Sequence, residues 1–300
     1  MTTRYSGTDR SNPQMVDWTA DYREQDNMRF FADALAAFAK AERGNGGLTA
    51  IGLVGQRDLP GVTMRWAQSV LRWDLRPSLW SHAFLLAEPA AGDAAAIGGA
   101  RVREVPLFER TGAFPRPERN GVSDGRLDLY RDSRVDANVA LPTIEMSAEE
   151  ARKVAEQALH PNRDRIRYNL WEILGVWETS LWATDTKPNP LRQGFPVCAS
   201  AFIEYAFEAI ALDLSPGASE RNSAPEHLWN AAKWWHGTFE KFDHPISGYY
   251  VTRDRGCAVL DPSELPDTVP PGPPAPPSSP SPAVPPSPGP RRRSLIPPRE

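Results

Sequence analysis

The sequence predicts an α+β domain followed by a proline-rich segment, and three observations lead there. Helical and strand-like patterns are segregated along the chain instead of alternating as βαβ units do. Composition is ordinary for a globular protein, with 40% hydrophobic and 24% charged residues in 300, enough to bury one sizeable core or two small ones. Sixteen of the 31 prolines fall beyond residue 260, so the folded part is expected to end near Asp261. The expected organisation is a flexible N-terminal arm over residues 1–27, one domain over 28–260 and a disordered proline-rich tail over 261–300.

After the polar arm, MRFFADALAAFAKAER places Phe30, Ala34, Leu35 and Phe38 at helical spacing over Met28 to Arg43, and the following glycines end it. LTAIGLV, from Leu48 to Val54, is a buried strand, and Thr63 to Trp73 is a second amphipathic helix. Leu79 to Glu88 is an apolar strand, with Ala95 to Val105 as its hairpin partner across a small-residue turn. Arg126 to Arg131 and Val135 to Leu141 complete an antiparallel sheet of four or five strands. Ser147 and Glu150 form a capping box that opens a helix, and a further helix covers Tyr168 to Trp177. A proline-broken loop then leads into the apolar helix Cys198 to Leu212. A Trp-rich helix (Glu226 to Trp235) and two short strands (Tyr249 to Thr252, Ala258 to Leu260) close the domain.

Charge and motif content exclude several functions. Lys+Arg 34 against Asp+Glu 38 leaves a net charge of −4, without the basic excess of a general nucleic-acid binder. No run approaches eighteen apolar residues, so stable membrane insertion is not expected, and the polar N-terminus lacks a secretory signal, which makes the cytoplasm the simplest address. GxGxxG and GxxxxGK[ST] motifs are absent, His227, His236 and His244 lack metal-ligand spacing, and no cofactor is expected. Trp229, Trp234 and Trp235 either cover the core or form an exposed stacking platform, the former being commoner.

Cys198 and Cys257 are the two cysteines. Cys198 stands at the expected first turn of its helix, where unpaired N–H groups and the positive dipole end favour a thiolate; the bland alternative is a small core residue among alanines. Cys257 has no motif around it and reads as structural. Period-two alternation puts His82 on one strand face with Trp80, Phe84 and Leu86, as either a satisfied core histidine or a positioned base. By the same rule Glu104 shares a face with Ala100 and Val102, opposite Arg101 and Arg103. If the inward faces of the two strands align, Glu104 can hydrogen-bond one imidazole nitrogen and leave the other for a thiol; the alternative is a rim carboxylate paired with an arginine.

From Leu48 to Gly217 the chain resembles the circularly permuted NlpC-type papain-like cysteine hydrolases, relatives of the lecithin retinol acyltransferase group. The matching segments are GQRDLPG (Gly55 to Gly61), WSHAFLL (Trp80 to Leu86), the strand with Glu104, the helix after Ser147, RYNLWEILG (Arg167 to Gly175) and FPVCASAFIEYAF leading to DLSPG (Asp213 to Gly217). The order of histidine before cysteine is that of the permuted group. The resemblance implies a permuted papain-like fold, with an antiparallel sheet packed against a cysteine-bearing helix. It also implies Cys198 as nucleophile, His82 as general base, Glu104 as the polar third member and Tyr168 lining the substrate site. Family members usually follow the cysteine with serine, where this chain has Ala199 and then Ser200.

The expected activity is thus a thiol-dependent hydrolase (amidase, peptidase or esterase) or acyltransferase acting on a peptide, amide or lipid acyl substrate. The alternative is an inactive papain-like scaffold that holds partners with its cleft and tail. Most tails of the composition of Pro270 to Pro290, followed by Arg291, Arg292 and Arg293, are solvated; a docking peptide for a protein partner is the sharper reading.

Overall fold

The computed structural model describes residues 15–41, 46–86, 94–105, 122–158, 199–215, 223–238 and 246–261. Two units are distinguished, Met1–Pro266 and Asp267–Glu300, and the second lies outside the described residues together with nearly all of the expected tail. The first unit is α+β, built on a seven-stranded sheet. Its strands are β1 (Met15–Asp17), β2 (Gly46–Gln56), β3 (His82–Leu86), β4 (Arg101–Glu104), β5 (Ser123–Arg126), β6 (Asp136–Ser147) and β7 (Ile246–Thr252). Their order is β1-β7-β6-β2-β3-β4-β5, antiparallel throughout except for the parallel β1–β7 pair.

Both faces of the sheet are covered, which explains why LTAIGLV and HAFLL read as continuous apolar runs instead of alternating ones. On one face lie α3 (Leu59–Ala67), α5 (Ala148–Gln157), α6 (Ala199–Phe207) and α7 (Pro225–Thr238). There Ile51, Leu53, Ala83 and Leu85 pack with Met64, Val154, Phe202 and Trp229. On the other face α2 (Asn27–Ala41) sets Phe30, Phe31, Leu35 and Phe38 against Val54, Phe84, Val139 and Val251. That spacing is the apolar stripe read from the sequence, and Arg29 bridges Asp33 at 2.7 Å on the outside of the helix.

Helix ends follow local chemistry. Asp58 Oδ1 accepts from Gly61 N at 2.8 Å and Pro60 sits in the first turn, so α3 begins at Leu59, ahead of the expected Thr63. Ser147 Oγ accepts from Glu150 N at 3.2 Å and Glu150 Oε2 from Ser147 N at 2.8 Å, closing the expected capping box of α5.

Several expectations are corrected. The part of the arm from residue 15 is not loose: it supplies β1 and a short helix, α1 (Thr19–Tyr22), and Trp18 stacks on Tyr249 at 3.9 Å. A few apolar side chains suffice because a sheet edge offers the backbone partners. The partner run Ala95–Val105 splits into a short helix α4 (Ala94–Ile97) and β4, since Gly98 and Gly99 break it. Arg126–Arg131 is mostly a 3-10 turn over Leu127–Tyr130, with β5 ahead of it, and its buried residues Leu127 and Tyr130 are three apart. Ala258–Leu260 forms no strand; Leu260 N instead donates to Arg57 O at 2.9 Å. The helix expected over Tyr168–Trp177 lies outside the described residues. No described helix is long and apolar enough to cross a membrane.

Candidate active site

His82 is the first residue of β3, and the four residues before it are held by buried side chains. Arg65 Nε donates to Ser78 O at 2.8 Å, Gln68 Nε2 to Trp80 O at 2.8 Å, and Asn138 Nδ2 to Leu79 O at 3.0 Å. Ser81 N donates to Val54 O at 2.8 Å and Ser81 Oγ accepts from Gln56 N at 3.0 Å, so the chain bends into the strand there. This bend corrects the expected shared face of Trp80 and His82. Trp80 packs on Trp229 at 4.9 Å in the helix-covered cluster, whereas His82 follows Phe84 and Leu86 to the α2 side of the sheet.

Glu104 reaches His82 along the sheet. The register Leu85↔Arg103, extended by one residue, sets Glu104 opposite Phe84, and a same-face neighbour two residues along is within reach of a long side chain. His82 Nε2 lies 2.7 Å from Glu104 Oε2, both residues buried. Tyr130 Oη donates to the same oxygen, and its ring stacks on Phe84 at 4.6 Å and on His82 at 6.1 Å. A carboxylate oxygen accepting from Tyr130 also accepts from an Nε2–H, which leaves the lone pair on Nδ1. Nδ1 has no hydrogen-bond partner among the described residues. A Cβ on Gly125 would stand 2.8 Å from Glu104 Oε1, so glycine lets β5 close over the carboxylate. Arg103 turns the other way, donating to Ala155 O at 2.6 Å.

Cys198 and Tyr168 lie outside the described residues, so of the expected site only His82 and Glu104 are brought together here. The helix following Cys198, α6, sets Ala201, Phe202 and Phe207 against the Ala83 and Leu85 side of the sheet. That is the side opposite the His82 ring. Ser200 Oγ is buried without a hydrogen-bond partner among the described residues.

Two members of this region were not legible in the sequence. Tyr130 lies in a run that reads as a strand, and only its aromatic character among polar neighbours marks it. Glu204 sits inside the apolar α6, buried, accepting from Leu214 N at 3.1 Å, from Ser223 Oγ at 3.1 Å and from Ser215 Oγ. Burial pushes its carboxyl up to about 7 against the pull of those hydrogen bonds. A lone Glu in an apolar helix, ahead of the Ser-containing DLSPG, is the signal available for it.

Cys257 is buried, and its burial pushes the thiol pKa up, which agrees with a structural role. No group of three or more His, Cys, Asp or Glu able to hold a metal occurs among the described residues. Comparison with protein-family models, curated proteins and solved structures finds no match in any of the three.

Proposed function

We propose that the chain is a thiol-dependent hydrolase or acyltransferase of permuted papain-like fold, with Cys198 as nucleophile, His82 as general base, Glu104 as the residue orienting the imidazole and Tyr168 lining the substrate site. The supporting observation is the buried His82–Glu104 pair, in which Nε2 is tied to the carboxylate and Nδ1 is left unpartnered among the described residues. In this reading the Cys198 S–H proton passes to Nδ1 and the thiolate attacks a carbonyl carbon. The C–N or C–O bond then breaks as the leaving group takes that proton, and water or an amine resolves the thioester. N–H groups at the start of the cysteine helix stabilise the oxyanion. The substrate class is a peptide, amide or lipid acyl group, no cofactor is used, and the proline-rich tail serves as a docking peptide for a protein partner.

A second reading, an inactive module of the same fold, is favoured by one observation: α6 and the His82 ring occupy opposite sheet faces. There the His82–Glu104–Tyr130 cluster is a buried polar network that fixes the sheet.

Iodoacetamide labelling as a function of pH, mapped by mass spectrometry, separates the two, with Cys257 as an internal slow thiol. Labelling of Cys198 below pH 7, lost in His82→Ala and weakened in Glu104→Gln, is the expected result. Labelling of Cys198 at ordinary thiol rates, unchanged by either substitution, would overturn the catalytic reading.

A further inference from the structure

The large apolar side chains that the described residues leave exposed are not scattered over the surface. Leu59, Trp66, Trp73 and Leu75 fall within one stretch of the chain, 67%, 51%, 94% and 68% exposed, and the half-exposed Val259 completes the set. An isolated apolar residue at the surface is ordinary, whereas a collection of them marks a contact surface.

Local structure brings the five together. Leu59 and Trp66 are seven apart on α3, so they stand on one face of that helix. Val259 runs beside the start of the same helix, because Leu260 N donates to Arg57 O at 2.9 Å and Arg57 Nε to Ala258 O at 3.3 Å. The 3-10 turn Gln68–Leu71 continues α3 and leads directly to Trp73 and Leu75. There Leu75 N donates to Arg72 O at 3.1 Å, and Ser78 N donates back to Arg65 O at 2.8 Å, next to Trp66.

That turn is held from within. Asp74 Oδ1 accepts from Arg72 Nε at 3.0 Å and from Arg76 N at 3.1 Å, and Oδ2 accepts from Arg72 Nη2 at 2.9 Å. Arg72 Nη1 in turn donates to the buried Glu226 at 3.2 Å. Leu75 has a φ of 53°, a left-handed conformation that leucine seldom takes. Trp73 and Leu75 are thus presented to solvent on a pinned backbone, and a surface ordered in advance loses little freedom on association.

Area and charge indicate the occupant. Taking about 250 Å² for a whole tryptophan and about 120 Å² for an aliphatic side chain, the five residues offer roughly 600 Å² of apolar surface. One side of a stable protein interface needs about 800 Å², somewhat over half of it apolar, and this surface meets that share. Arg57, Arg65, Arg72 and Arg76 are matched by Asp58, Asp74, Glu226 and Asp254, with Glu226 3.2 Å from Arg72 and Asp254 2.8 Å from Arg65. Four cations against four anions give no basic excess for an anionic membrane or a nucleic acid, and no net charge to repel a like surface.

We propose that Leu59, Trp66, Trp73, Leu75 and Val259 form the contact surface of a twofold dimer of this chain, each patch meeting its copy. Twofold closure requires one self-complementary surface, and tryptophans at its centre carry much of the binding energy. None of Cys198, His82 or Glu104 belongs to this surface, so it stands apart from the thiol chemistry.

Sedimentation equilibrium of the full chain over a hundredfold concentration range tests this. The mass is expected to rise to twice that of one chain. Trp73→Ser and Leu75→Asn should each weaken the association tenfold or more, asparagine being a residue that accepts the left-handed backbone. Arg29→Gln, on α2 across the sheet, should leave it unchanged. All three side chains are exposed, and circular dichroism of each variant verifies folding. A single-chain mass at every concentration, or a dimer equally tight in Trp73→Ser and Leu75→Asn, would overturn the proposal. So would a monomer that sediments with phosphatidylcholine–phosphatidylserine vesicles and ceases to do so in Trp73→Ser, which would make the surface a membrane contact.

Discussion

Glu204 shows how a single side chain can set a pH dependence for the whole fold. Its carboxyl is pushed from 4.5 to about 7 in the folded protein, so the native state holds its proton more tightly than the unfolded chain does. The associated stability is fully present below pH 4.5 and is lost as pH rises through about 7, a change of about 3 kcal/mol. Urea unfolding of the protein and of Glu204→Gln at pH 4.5 and pH 8 measures it: the difference between the two proteins should shift by about that amount, against Glu204 at the higher pH. A shift near zero would mean that water or a cation reaches the carboxylate. At this scale the sequence was informative where chemistry is periodic. Period two placed His82 and Glu104 on matching faces, and their hydrogen bond is the outcome. It was silent on Tyr130, because a residue on a 3-10 turn gains its partner from tertiary structure alone, and on Trp80, whose face is decided by the Ser81 bend.

Elements were legible where their ends carry a recognised capping pattern, as at Ser147, whereas the Asp58 cap starts α3 four residues ahead of the expected Thr63. They were misjudged where a short apolar run fits either period, as in Arg126–Arg131, and where a strand is too short to show any, as in Met15–Asp17. Gly55 joins the element level to the candidate site. It stands where the β2–β6 register shifts, and a Cβ there would lie 2.0 Å from Leu79 O and 2.9 Å from Asn138 Cβ. The carbonyl is backbone, fixed by Asn138 Nδ2 at 3.0 Å, and cannot yield as a flexible side chain would. Gly55→Ala should therefore destabilise the protein by on the order of 3 kcal/mol and displace residues 78–82. Thermal unfolding reports the first effect, and a change in the environment of the His82 ring protons by NMR the second. An unchanged melting temperature would show that β2 and the approach to β3 separate easily.

Across the molecule, Arg65 and Asp254 tie helix α3 to the segment that follows β7 through a buried ion pair. Arg65 is 0% exposed. Its Nη1 donates to Asp254 Oδ2 and its Nη2 to Asp254 O, both at 2.8 Å, while Asp254 Oδ1 accepts from Cys257 N at 2.9 Å. Breaking one side of a buried pair strands the other, so Arg65→Met should cost about 3 to 5 kcal/mol, read by chemical denaturation. Arg65→Met with Asp254→Asn should recover part of that loss; no recovery would mean that Arg65 acts mainly through Ser78 and the other carbonyls it holds. The α+β class was visible in the segregation of patterns, but strand β1 was not, because pairing between distant segments leaves no local mark. That same strand has a temporal consequence. Met15–Asp17 is translated before every other described strand and finds its strand partner among the described residues in Gly248–Tyr250, so this piece of the sheet waits unpaired until β2 to β6 have all been made, and its edge is the last that synthesis allows to close.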